Sequence, residues 1–345
     1  MFKPYKRADI SFQEIREIGS NGQNSRTWLA SDVQMGAEIA LKCINKASLT
    51  SPTEFFEEAK ALYATSHQNV VQVHYACEDA DYIYIAMPFY SRGSVKDMMT
   101  DGHLTVRTIV RLGCQALCGL HNVHSKGLIH FDIKPDNILI SNRGDALISD
   151  FGLAKQMNLG VASPTSLYLR MAPPEAVKGP PYDLRFDIYQ VGLTFYRMCN
   201  GNDAFYREMS RFERNGKFDR PALAAELQAG TFPNRQAFHE HIPSRLRKLI
   251  VKCLDPEPSN RYSSALALAN ALAMVDDCLD WNLSEATVDK VWRKNEKGTE
   301  KRFIVRADGS TELTSASEGK APRRVSEFCR ASMTRPEIEK VLRGH

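Results

Sequence analysis

The sequence predicts an α+β protein with one large two-lobed domain and a small appended C-terminal segment. Three observations support this fold class. Alternating apolar and polar residues occupy 13–44, a long amphipathic segment spans 105–126, and a polar stretch at 130–152 lies between apolar runs. A chain of 345 residues is long enough for such a domain and its appendage.

The composition is typical of a soluble globular protein, with 43% hydrophobic and 25% charged residues. The longest mostly apolar stretch, at 265–275, is far shorter than the ~20 residues of a membrane span. The N-terminal MFKPYKRADI has no apolar signal core. We therefore expect a cytoplasmic protein with no membrane partner.

Two spaced pairs of cysteine and histidine residues are not assigned a metal. The eight cysteines form no C-x-x-C pair and mostly lie in apolar runs, which favours reduced structural thiols. Cys114 and Cys118 share a helix face, and His121 and His124 are three apart, but no second pair of ligands accompanies either set.

The net charge of +4 is concentrated in the tail. From Trp281 onward the chain holds 14 of its 45 Lys and Arg and 10 of its 41 Asp and Glu, which leaves 31 of each sign before it. This balance leaves nucleic acid or an acidic protein open as a partner, although a solvated face explains it equally well.

Residues 13–44 predict hairpin strands, in the segments QEIREIG, TWLASDV and AEIALKCIN. Lys42 is a cation inside the last, otherwise apolar strand. A helix follows from Pro52, with Ser51 or Thr53 as its N-cap. Three acidic residues of this helix are available to pair with Lys42: Glu54, Glu57 and Glu58.

Two more strands at 70–79 and 81–89 and the helix at 105–126 lead to the polar stretch HFDIKPDNILISNRGDALISDFG at 130–152. A protein that holds a nucleotide triphosphate beside a hydroxyl acceptor needs a proton acceptor, metal ligands and a cation at fixed separations. The stretch contains four candidates: Asp132, Lys134, Asn137 and Asp150.

The order H-x-D-x-K-x-x-N followed by D-F-G resembles the catalytic and metal-binding loops of eukaryotic-type (Hanks-type) serine/threonine protein kinases. Small-molecule phosphotransferases share the central residues, but they lack the three downstream segments that resemble the same family: MAPPEA at 171–176, DIYQVG at 187–192 and CLDPEPSNRY at 253–262. The resemblance covers about residues 12–275. It implies a small five-stranded N-lobe with one main helix and a largely helical C-lobe.

The resemblance assigns domains and site residues. It implies an N-terminal lead at 1–11, a kinase domain at 12–278 (N-lobe 12–87, hinge 88–91, C-lobe 92–278) and an extension at 279–345. Catalytic roles go to Asp132 and Lys134, and magnesium binding to Asn137 and Asp150. The implied ATP-binding residues are Gly19, Gly22, Ser25, Thr27, Ala40, Lys42, Glu58, Met87, Pro88 and Tyr90. The implied structural residues are His130, Glu175, Asp187 and Arg261.

Two departures from the family pattern matter. The glycine-rich loop matches G-x-G-x-x-G-x-V only with a one-residue insertion after Gly19. Phe131 replaces the arginine that usually precedes the catalytic aspartate, so it cannot pair with a phosphate on the 150–175 loop. We therefore expect activity without activation by loop phosphorylation, although that loop carries four candidate phosphorylation sites: Ser163, Thr165, Ser166 and Tyr168.

The tail predicts a helix at 281–297, a hairpin turning at Asp308 and Gly309, a flexible segment at 317–324 and a final helical segment at 326–345. Between Phe205 and Gly230 the sequence suggests an expanded loop and helix near the substrate side.

The predicted function is transfer of the γ-phosphate of ATP to serine or threonine hydroxyls of proteins, with Mg²⁺ (or Mn²⁺) as cofactor and with autophosphorylation. The source of such a compact kinase could be bacterial. The alternative is a pseudokinase or nucleotide-binding scaffold that acts through its extension. The irregular glycine-rich loop and Phe131 favour that alternative, whereas the presence of Lys42, Asp132 and Asp150 opposes it.

Overall fold

The computed structural model describes residues 9–22, 25–49, 56–100, 102–214, 216–286 and 289–345. The N-lobe is an antiparallel five-stranded sheet in the order β1-β2-β3-β5-β4. Its strands are β1 Phe12–Gly22, β2 Ser25–Asp32, β3 Ala37–Asn45, β4 Tyr75–Glu78 and β5 Tyr82–Pro88.

Strand β3 shows how this sheet positions the site. Ile39, Leu41 and Cys43 alternate into a small apolar core on one face of the sheet. Because side chains alternate along a strand, Lys42 points to the opposite face. That face lies toward helix α1, Glu57–Ala64. The helix begins at Glu57, after Phe56 in a left-handed conformation with φ of 63°. The predicted start at Pro52, the caps Ser51 and Thr53, and Glu54 lie outside the described residues.

The C-lobe is mainly helical. Its helices are α2 Val95–Met98, α3 Val106–Ser125, α4 Arg185–Asn200, α5 Asn202–Ser210, α6 Arg220–Ala229, α7 Ser244–Cys253 and α8 Ala265–Ala273. Helix α3 confirms the predicted amphipathic segment, and it packs closely on its neighbours through Gly113. A Cβ at that position would lie 2.7 Å from Leu272 and 3.0 Å from Phe195.

Short strand pairs hold the polar loops of this lobe. Strand β6, Leu128–Ile129, pairs with β9, Lys155–Gln156, and β7, Ile138–Ile140, pairs with β8, Ala146–Ile148. The predicted expanded region after Phe205 contains α5 and α6, joined by the hairpin of β10, Glu213–Arg214, and β11, Lys217–Phe218. The two lobes together confirm the α+β prediction.

The extension is a five-stranded antiparallel meander with one helix. Its elements are β12 Asn282–Ala286, β13 Asp289–Glu296, β14 Thr299–Val305, β15 Thr311–Ser317, β16 Arg323–Arg324 and α9 Arg335–Gly344. The predicted helix at 281–297 is therefore wrong. The segment predicted as flexible at 317–324 is in part β-strand, because β15 ends at Ser317 and β16 is Arg323–Arg324. The hairpin at Asp308 and Gly309 is confirmed, with Gly309 at φ of 83°.

Cross-strand packing explains the wrong helix prediction. Leu283, Trp292, Phe303 and Leu313 lie directly opposite one another across four strands and form a buried row. The row packs against α9, whose Leu342 carbonyl accepts a hydrogen bond of 2.7 Å from Trp281 Nε1. Helix α9 itself begins only at Arg335, behind a capping box of Thr334 and Glu337.

Two further observations concern the described chain as a whole. None of its helices is long and apolar enough to cross a bilayer. All eight cysteines are free thiols, and Cys43, Cys199 and Cys253 are buried.

Candidate active site

The site lies between the lobes and is centred on Lys42. The Lys42 ammonium donates to both carboxylate oxygens of Glu58, at 2.7 and 2.8 Å, and to Asp150 Oδ1 at 2.7 Å. One cation thus connects the N-lobe sheet, helix α1 and the loop after β8. Glu57, the neighbouring acid, points away and pairs with Lys60 at 2.9 Å.

The opposite charges of Lys42 and Asp150 stabilise each other. Burial alone lowers the pKa of Lys42, but the negative charges of Asp150 and Glu58 raise it well above its usual value. Burial opposes ionisation of Asp150, yet Lys42, Lys134 and His130 together hold its pKa at about 2. Burial raises the pKa of Glu58 and Lys42 opposes that change. A charged lysine and an ionised Asp150 are therefore the stable pair at neutral pH.

Asp132 lies in the loop after β6 with one oxygen engaged and one free. Its Oδ2 accepts from Lys134 Nζ at 2.7 Å and from Asn137 Nδ2 at 2.8 Å. Its Oδ1 is buried and has no hydrogen-bond partner in the described part of the chain. Burial raises the pKa of Asp132, and Lys134 acts in the opposite direction. A buried acceptor of this kind suits a hydroxyl proton, because leaving it unpaired costs free energy.

The donor set fits a magnesium nucleotide. Asn137 directs its amide nitrogen to the backbone oxygen and Oδ2 of Asp132, at 2.9 and 2.8 Å, so its amide oxygen is the atom left for a metal. Asp150 supplies an ionised carboxylate. Mg²⁺ prefers such hard oxygen ligands and is usually held by one or two carboxylates together with substrate phosphates.

Helix α4 holds the backbone of this loop. Asp187 is fully buried and accepts from the backbone N–H groups of His130 and Phe131, at 2.9 and 2.8 Å. Its Oδ2 also lies 2.9 Å from His124 Nε2. His130 in turn contacts the Ser149 carbonyl at 3.1 Å, which ties the loop to the residue before Asp150.

The sequence analysis did not predict a second set of hydrogen bonds from the same helix to this loop. The Gln190 side chain accepts from the Ile133 N–H and donates to the Phe131 carbonyl, both at 2.9 Å. Thr194 lies one turn further on, 3.4 Å from the Ile133 carbonyl. Polar residues spaced three and four apart within an apolar helix are the signal that could have revealed this face.

A buried arginine was also missed. Arg197 is 1% exposed and contacts Asp136 at 3.1 Å, while Lys96 contacts the other Asp136 oxygen at 2.8 Å. Burial opposes ionisation of Asp136, but Arg197 and Lys96 lower its pKa below the usual value. This ion pair ties the loop after β6 to α2 and α4.

Glu175 and Arg261 form a two-pronged ion pair with both distances at 2.7 Å. Arg261 is also held by the carbonyls of Asp255 and Arg185, and its guanidinium lies over the Tyr189 ring at 4.9 Å. The pair joins the end of the 150–175 loop to the loop before α8.

The remaining predicted nucleotide residues line the N-lobe side. Gly19 pairs with Thr27 and Gly22 with Ser25 across an irregular β1-β2 hairpin, whose tip at 23–24 lies outside the described residues. Ala40 lies opposite Met87 across β3 and β5, next to Pro88. The Tyr90 N–H has no hydrogen-bond partner within the described ranges, so it is available to a planar base.

Phe131 is fully buried in an aromatic cluster, at φ of 65°. Its ring lies 5.0 Å from Phe186 and 6.2 Å from Tyr182, in edge-to-face contacts. Leu153, Met157 and Leu167 of the 150–175 loop pack against the same cluster. The four candidate phosphorylation sites, Ser163, Thr165, Ser166 and Tyr168, are all exposed.

The sequence is similar to that of known protein kinases. A family model described as a protein kinase domain matches residues 12–273. A probable serine/threonine-protein kinase of Clostridium perfringens is 30% identical over 64% of this chain and 31% of its own length. The serine/threonine-protein kinase PrkC of Bacillus subtilis is 26% identical over 75% of this chain and 40% of its own. Human calcium/calmodulin-dependent protein kinase type 1B is 28% identical over 86% of this chain and 84% of its own length.

The matched region spans well under half of the bacterial relatives, between 31% and 40% of their lengths.

Proposed function

Because the chain belongs to the protein kinase family, we propose that it transfers the γ-phosphate of ATP to serine or threonine hydroxyls of proteins, with Mg²⁺ (or Mn²⁺) as cofactor. The observation that carries this proposal is the arrangement of Lys42 between Glu58 and Asp150, with the buried free oxygen of Asp132 in the same cleft. A cytoplasmic location belongs to the same proposal.

The contacts of each residue support the role that we propose for it. Lys42, held by Glu58, orients the α- and β-phosphates, and Asn137 and Asp150 hold the metal. Asp132 Oδ1 accepts or orients the hydroxyl proton of the substrate. Lys134, 2.7 Å from Asp132, neutralises charge on the transferred group. Bound ATP would supply the phosphoryl group, and the Mg²⁺ bound with it would neutralise much of the charge of the phosphates.

Lys134 also supports serine/threonine specificity, because a lysine two residues after the catalytic aspartate is the pattern of that class. Asp187 and Gln190 act as positioning residues, since they fix the backbone on both sides of Asp132 and do not reach the reacting atoms.

Regulation forms the finer part of the proposal. The 150–175 loop packs on Phe131, Tyr182 and Phe186 by apolar contact, which provides the order that an arginine and a phosphate otherwise supply. We expect the enzyme to be active without loop phosphorylation and to autophosphorylate on the exposed hydroxyls.

Intact-mass spectrometry tests the proposal on purified protein incubated with Mg-ATP and a basic protein substrate. Phosphate should appear with the parent protein, and its rate of incorporation should fall at least about 100-fold in Asp132→Asn, which keeps the side-chain shape. Lys42→Met is the second inactive control. Phosphate-free protein that is nevertheless stabilised by nucleotide would instead favour the scaffold alternative.

A further inference from the structure

Three side chains from separate parts of the chain converge where the extension meets the C-lobe. His103 lies just before α3, His239 lies before α7, and Glu285 lies on β12 of the extension. One nitrogen from each imidazole and one carboxylate oxygen all lie within 4.8 Å of one another. The proposed kinase chemistry uses none of these residues.

The distances suit ligands of a shared ion better than hydrogen bonds. His103 Nε2 lies 3.7 Å from Glu285 Oε2, and His239 Nδ1 lies 3.7 Å from Glu285 Oε1. A direct hydrogen bond would be shorter. Ligands about 2.0–2.1 Å from a tetrahedral zinc ion are separated by roughly 3.3 Å. The three ligand atoms, which lie within 4.8 Å of one another, therefore need to approach one another by up to about 1.5 Å to bind one ion.

The two imidazoles also lie against each other, with the ring centroids of His103 and His239 4.6 Å apart. His103 Nδ1 is buried and has no hydrogen-bond partner in the described chain.

Two neighbouring side chains, Lys290 and His241, do not take part in the cluster. Lys290 lies opposite Glu285 across β12 and β13, but its ammonium is paired with Glu240 at 2.9 Å. His241 is a poor fourth ligand, because its Nδ1 accepts from Trp292 Nε1 at 3.1 Å and its proton is then on Nε2. The described residues thus offer three ligands, which leaves the fourth position of a tetrahedral ion to a water molecule.

We propose that His103, His239 and Glu285 bind a zinc ion that joins the C-terminal extension to the C-lobe. Two imidazoles and a carboxylate suit zinc, whereas Mg²⁺ and Ca²⁺ favour sites made of oxygen. Since the ligands come from both units, the ion holds β12 against the loops before α3 and α7.

Calorimetric titration of Zn²⁺ into the full chain, stripped with a chelator and free of nucleotide, tests the site. The Asp150→Asn background removes the carboxylate that is proposed to hold metal in the active site. One equivalent should bind, and the affinity should fall by at least about 100-fold in Glu285→Gln and in His103→Gln. Glu300→Gln on β14 and His121→Gln on α3, both exposed, are matched controls that should bind as the background does.

Hydrogen exchange provides a second readout that does not depend on a ligand variant. Saturating Zn²⁺ should slow exchange of the β12 amides in the Asp150→Asn protein, and Co²⁺ should give the visible absorption of a four-coordinate site. Absence of binding, affinity unchanged in a cooperatively unfolding Glu285→Gln protein, or β12 exchange that Zn²⁺ does not alter would overturn the proposal.

Discussion

Phe131 packs edge-on against Phe186, with their ring centroids 5.0 Å apart. The residue between His130 and Asp132 is therefore anchored in an apolar cluster that includes the 150–175 loop. Since Phe131 is fully buried, this contact stabilises the fold.

Phe131→Ala should lower the free energy of unfolding by about 3–5 kcal/mol, because it removes a buried ring and leaves a cavity. Chemical denaturation followed by circular dichroism measures this change. Leu159→Ala is the control, since Leu159 is 98% exposed and the change should be within about 0.5 kcal/mol. Equal stability of the two variants would contradict the anchoring role of Phe131.

Blocking all four candidate phosphorylation sites should leave most of the activity intact. The variant Ser163→Ala, Thr165→Ala, Ser166→Ala, Tyr168→Phe keeps the apolar cluster and the ring that lies 4.7 Å from the Lys134 ammonium. We expect kcat within about threefold of the parent, which is less than 1 kcal/mol of barrier. A folded but inactive variant would show that loop phosphorylation is the activating step.

Lys134→Gln should move the acid limb of kcat/KM to higher pH. Burial raises the pKa of Asp132, while the Lys134 cation, 2.7 Å away, lowers it. Removing the cation favours the protonated acid, so the ionised base is lost at a higher pH as the solution is acidified. The pH profile measures this shift separately from any fall in kcat. The control is Lys96→Gln, whose partner is Asp136 and whose acid limb should not move.

Glu175→Gln should destabilise the C-lobe by about 3–5 kcal/mol, because it leaves the buried guanidinium of Arg261 without its counter-charge. Thermal unfolding provides the comparison with Glu213→Gln. That change breaks the exposed pair of Arg170 and Glu213, so its effect should be below about 1 kcal/mol. Similar losses in both variants would mean that burial does not set the strength of the Glu175 pair.

Some of these features were predictable from local sequence. The alternation in β3 separates Lys42 from its apolar neighbours, and this pattern needs only the two-residue period of a strand. Four polar residues of the site lie within 19 consecutive residues: Asp132, Lys134, Asn137 and Asp150. The paired strands β7 and β8 lie between Asn137 and Asp150 and hold the two ends of this stretch together. The Asp308 and Gly309 turn likewise depends on local backbone preference.

In the C-terminal extension, local sequence patterns did not predict the secondary structure correctly. Residues 281–297 predicted a helix, yet Trp292 is buried because Leu283 and Phe303 lie opposite it on neighbouring strands. Such cross-strand pairs carry more of the stabilisation than the propensity of either segment.

By itself the sequence determined the strand period around Lys42, the helix α3 and the grouping of Asp132, Asn137 and Asp150. Only the tertiary structure decided that Gln190 braces Ile133 from 57 positions away and that His103, His239 and Glu285 meet. Periodicity and spacing are properties of adjacent residues, whereas a contact between distant residues depends on how whole elements pack against one another.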